Sequence, residues 1–101
     1  MAAPVWFNLP LAAWRIALRD ARAPWVATRY AVAEVDVPTV GTVSVPIPAS
    51  GELTPQMAHD AARFIAGYYS VTSRRQYVYR AALHALKPYT PGIWAPPALT
   101  T

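Results

Sequence analysis

Cysteine is absent from the 101-residue chain. No disulfide, thiolate nucleophile or zinc-thiolate site can be built, and secretion as a disulfide scaffold is excluded. Charge is also scarce, at 14% of residues against 54% hydrophobic. That balance excludes disorder of the low-hydrophobicity, high-charge kind. Lysine is nearly missing: of the nine basic residues only Lys87 is not an arginine, and five acidic residues leave a net charge of +4. The positive charge therefore sits on guanidinium groups, which suit planar contacts with carboxylates, phosphates and aromatic faces. No run of about 18 residues is both apolar and free of charge, so a plain transmembrane helix is not written here, although a helix packed among other membrane helices can carry arginines near its ends. Catalytic patterns are missing too: there is no phosphate loop, no paired-carboxylate arrangement and no nucleophile elbow. His59 and His84 lie too far apart for a local metal pair, and the neighbours His59 and Asp60 diverge on a helix. Neither enzymatic activity nor a metal or cofactor site is expected.

Proline is abundant instead, at eleven residues, and it interrupts helix and sheet alike. A chain rich in apolar residues but so interrupted is expected to find its core in a partner, the alternative being a small, irregular α+β domain. The first periodic segment, residues 8–23, reads as an amphipathic helix capped by Asn8 and ended by Pro24. Leu11, Trp14, Leu18 and Ala21 share one face, while Arg15, Arg19 and Arg22 form a stripe on another, either solvated or facing lipid phosphate. Its arginine-rich, acid-poor character also resembles a mitochondrial targeting segment, one expected to be retained.

Residues 30–50 alternate, with apolar or small side chains at Ala31, Ala33, Val35, Val37, Gly41, Val43, Val45 and Ile47, the period of a strand with one dry face. Pro38, Pro46 and Pro48 all remove donors from one edge, which suits a strand pairing on one side only. Because "TVGT" lacks the Asn-Gly or Asp-Gly of tight hairpins, an extended arm laid along a partner is preferred to a loose hairpin centred on Val40 and Gly41.

Thr54 and Pro55 open a helix over 54–72. Ala58, Ala62 and Ala66, with Gly67, offer small side chains for close helix approach. Residues 73–87 form a third helix, with Ser73 and Gln76 as a capping box, or continue the second as a rod of about 50 Å. Arg74 and Arg75 interleave with Tyr77 and Tyr79, a mixture suited to phosphate groups. The tail, 88–101, is Pro-rich and irregular, with Trp94 joining Trp14 and Trp25 as an anchor.

The stretches "ATRYAVAEVDVPT", "ELTPQMA" and "FIAGYYSVTSRR" resemble, in that order, segments of subunit g of the mitochondrial ATP synthase, a small inner-membrane protein that pairs with subunit e. The resemblance runs from Thr28 to Arg75 and rests on Tyr30, Ala31, Glu34, Val35, Pro38, Phe64, Gly67, Arg74 and Arg75. Tyr68 stands where the family has an acidic residue, and Val71 where it has a second glycine. The resemblance implies an accessory subunit at the mitochondrial inner membrane, acting in assembly or dimer stabilisation.

The reading that combines these features is a mainly α, non-globular chain, with two or three helices joined by a long extended Pro-rich arm and an irregular C-terminal tail. It would act as a non-catalytic structural subunit of a large membrane complex, the alternative being a structural protein of a virion or other soluble assembly. Arg15, Arg19, Arg22, Arg74 and Arg75 would meet anionic phospholipid or an acidic partner subunit, in preference to nucleic acid.

Overall fold

Secondary structure follows the local chemistry for most of the chain. The computed structural model describes residues 10–27 and 29–91. Helix α1 spans Leu11–Asp20 and starts behind Pro10, with no side-chain cap; Asn8, the expected cap, lies outside the described residues. The helix closes in a Schellman arrangement, in which Arg22 N–H donates to the Arg19 carbonyl (2.9 Å) and Ala23 N–H to that of Leu18 (2.7 Å). A short 3-10 turn, Pro24–Ala27, leads on to strand β1, Tyr30–Val37, which pairs antiparallel with β2, Gly41–Pro48.

Helix α2, Pro55–Tyr69, is capped reciprocally at its start: Met57 N–H donates to Thr54 Oγ1 (3.2 Å), while Thr54 N–H points at Met57 Sδ. The helix stops at Ser70, whose backbone is extended, so no continuous rod forms. The Ser73 and Gln76 capping box does not form either. The chain passes through a 3-10 turn, Thr72–Arg74, into α3, Arg75–Leu86, which has no side-chain cap.

The expected mainly α, non-globular architecture is overturned. Residues 30–50 do not lie extended along a partner; they fold back on themselves, with Val37 opposite Gly41 and Tyr30 opposite Pro48. The reversal uses Pro38, Thr39 and Val40, with Val40 N–H donating to the Val37 carbonyl at 3.0 Å. Proline fits the second position of such a turn. Thr39 (φ 69°) and Gly41 (φ 115°) supply the positive φ values that an Asn-Gly pair would otherwise bring.

The dry face of the hairpin is covered by the chain itself. Ala33, Val35, Val37, Val43, Val45 and Ile47 are all buried. Helix α3 packs on β1, the Pro24–Ala27 turn packs on β2, and α2 lies against α3. From the other side Trp14 of α1 closes the core edge-on to Phe64, ring centroids 4.6 Å apart. The interior is therefore self-contained, against the expectation that a partner supplies it. A Cα radius of gyration of 12.6 Å matches a compact domain of about 100 residues. The expected tail is also partly ordered into this body: Lys87–Tyr89 forms a 3-10 turn, Leu53 N–H donates to the Tyr89 carbonyl (2.7 Å), and Thr90 is buried.

Candidate interaction surfaces

Helix α1 puts Trp14 and Leu18 into the core, which turns Arg15 and Arg19 outward, since residues four apart share a face; Arg22, just past the helix end, is exposed and lines the same depression. The Schellman closure then folds Ala23, Pro24 and Val26 back beside that stripe. The result is an open depression of about 520 Å³, with the three arginines around a floor of Ile16, Ala23 and Val26. Arg15 is held in place by its Nε, which donates to the Val26 carbonyl at 3.0 Å, leaving the outer guanidinium nitrogens free to contact another group. The side chains of Arg19 and Arg22 make no hydrogen bond or ion pair among the described residues. Ile16 is 58% exposed.

A second basic surface lies across α2 and α3. Arg63, Ala66, Arg75, Gln76 and Tyr79 line a shallow groove of about 340 Å³. Arg63 pairs with Asp60 of its own helix at 3.1 Å, an exposed i,i+3 contact worth little to stability. Arg74 lies over the Tyr77 ring, 4.9 Å from its centre. Tyr68 and Val71, 56% and 68% exposed, flank the turn between the helices. Arg15, Arg19 and Arg22 line one depression and Arg75 the other, while Arg74 lines neither.

The remaining sequence candidates divide clearly. Ala58, Ala62 and Ala66 are buried within this fold. Ala81 and Ala82 of α3 are buried as well, and α2 and α3 pack against each other. Gly67 is exposed, and a Cβ built there would meet nothing within 4 Å. Trp14 is a core residue and Trp25 is half-buried in the 3-10 turn, whereas Trp94 lies outside the described residues. Arg63 and the floor residues Ile16, Ala23 and Val26 escaped sequence reasoning, and Gln76, expected to cap a helix, lines the groove instead. The exposed position of Ile16 on a helix carrying three arginines was the one available clue.

His59 does not face Asp60. Its Nδ1 shares a hydrogen bond with the Tyr79 hydroxyl, the two rings stacking at 5.9 Å, while Asp60 accepts from Gln56 and Arg63. Among the described residues no group of three or more His, Asp or Glu side chains comes together that could hold a metal ion. No helix among them is long and apolar enough to cross a membrane. Comparisons with known protein families, with curated proteins and with solved structures return no match to this chain.

Proposed function

We propose that the chain is a non-catalytic structural subunit of a larger assembly, a small rigid body that presents basic contact surfaces to its neighbours. The observation that carries this reading is the pairing of uncompensated arginine with uncovered apolar surface. Arg19 and Arg22 stand beside exposed Ile16 around an aliphatic depression. Arginine with apolar or aromatic neighbours is the composition of interface centres, whereas a purely solvated basic face needs no apolar floor. The test is the size of the native particle. After gentle lysis the chain is expected to migrate far above its own 11.0 kDa, and an Arg19→Glu/Arg75→Glu variant is expected to fall out of that particle. Migration of the wild-type chain as a free monomer would remove the proposal.

A second reading places that assembly on an anionic membrane, as the resemblance to subunit g implies. It is favoured by Val71, exposed in the turn that leads into Arg74 and Arg75, and by Tyr68, exposed at the end of α2. Aromatic, aliphatic and basic side chains together suit the headgroup layer without any spanning helix. Co-sedimentation with cardiolipin-containing vesicles should exceed that with phosphatidylcholine alone and should fall in Arg74→Glu/Arg75→Glu. Equal binding to both vesicle types would dismiss this reading.

A further inference from the structure

The outer face of the hairpin carries a pattern complementary to the α1 depression. Even-numbered residues of β1 point away from the core, placing Val32, Glu34 and Asp36 in a row, with Val32 54% exposed. Each carboxylate is oriented by a hydroxyl of β2: Ser44 Oγ donates to Glu34 Oε1 at 2.8 Å and Thr42 Oγ1 to Asp36 Oδ1 at 2.7 Å. Neither carboxylate has a basic partner among the described residues. The chain thus holds, on the hairpin, two fixed carboxylates in line with an exposed valine that borders a small hollow with Leu11, Trp14 and Pro46 and, at the end of α1, guanidinium groups around an apolar hollow. The spacings agree: residues two apart on a strand are separated by about 6.6 Å, and residues four apart on a helix by about 6 Å.

The basic site also has a feature that folding alone does not favour. Arg22 occupies the left-handed position after the helix (φ 60°), where glycine is preferred and an L side chain is strained. The negative end of the α1 dipole welcomes a cation in this region, which accounts for the charge of Arg19 and Arg22. It does not account for a strained backbone at Arg22 or for the aliphatic floor beside it. Strain of this kind tends to be kept where a side chain is needed in one place.

We propose that the occupant of the α1 depression is a second copy of this chain, docked through Val32, Glu34 and Asp36. Asp36 and Glu34 of one copy pair with Arg15, Arg19 and Arg22 of the next, and Val32 seats on the floor formed by Ile16, Ala23 and Val26. The hydroxyl-fixed carboxylates supply the opposite charge that the guanidinium groups of the depression lack among the described residues. Because the two patches differ, the contact is heterologous, and repetition gives a ring or a chain of subunits. The inference rests on the assembly reading and adds the identity of one neighbour.

Size-exclusion chromatography with light scattering, from micromolar to millimolar protein at low and high salt, tests it. The wild-type mass should rise above 11.0 kDa with concentration and fall back with salt. Arg19→Glu and Glu34→Arg, both at exposed positions, should each stay at the monomer mass with unchanged circular dichroism, and their equimolar mixture should associate again. Arg22→Gly should weaken association about tenfold while raising the melting temperature, a combination that a purely structural role for Arg22 would not produce. A wild-type chain that stays monomeric throughout, single reversals that associate like wild type, or a mixture that fails to recover would each overturn the proposal. A large native particle together with a monomeric purified chain would sink this inference and leave the assembly reading standing.

Discussion

Thr39 (φ 69°), like Arg22, sits in left-handed backbone that L-residues avoid. For a β-branched side chain the strain is of order 1–2 kcal/mol, partly offset in any glycine replacement by the entropy of a freer unfolded chain. Thr39→Gly is therefore expected to stabilise the fold by about 1 kcal/mol, seen as a rise in melting temperature of several degrees. Tyr69 gives a prediction of different kind. Burial, with a smaller contribution from neighbouring Tyr68, raises its phenol to about 12 from 10.0. The folded state thus holds this proton more tightly than the unfolded state. Its contribution is fully present below pH 10 and is lost as pH rises from 10 to 12. Thermal melts across that window should show a decline in stability that Tyr69→Phe makes shallower; an identical decline in the variant would assign it elsewhere.

At the level of elements, the packing of α2 on α3 depends on alanine. Ala58, Ala62 and Ala66 are essentially inaccessible, as are Ala81 and Ala82 of α3, so larger groups at these positions would enter a filled interior. Ala62→Leu is expected to cost about 1–3 kcal/mol by overpacking, measured by urea denaturation of the isolated protein. An unchanged midpoint would mean that the helices can separate at little cost. The small-residue stripe was legible in the sequence because its spacing is local. That its partner helix belongs to the same chain was not, since nothing local fixes which helix it faces. The same holds for the hairpin. The alternation of Val35, Val37, Val43 and Val45 was readable, and its dry face is real. What hid the reversal was a turn built on Pro38 and Thr39, where Thr39 takes a conformation that its residue type does not advertise. The arginine stripe of α1 could be read from spacings of four and three, but its hollow could not, because Ala23 and Val26 are brought beside it by the helix-ending turn.

For the whole molecule, the decisive fact is that one nucleus joins the three α-helices and both strands: Trp14 and Leu18 of α1, the valines of the hairpin, Ile65 of α2, and Leu83 and Leu86 of α3. A single shared core predicts a single transition. Tryptophan fluorescence and far-ultraviolet circular dichroism should report the same unfolding midpoint in the purified chain. Separated midpoints would mean that part of the structure stands apart from that core. The margins of the sheet carry a further consequence. Opposite Val32 and Tyr30, Pro46 and Pro48 have no N–H to give, so the ladder keeps its bonds only if their backbone nitrogens face away from β1. The flank of β2 therefore offers an incoming strand too few donors to be templated. Growth by backbone zippering is barred there, and any array these molecules build along that flank must be joined by side chains, as a reversible joint that salt can undo.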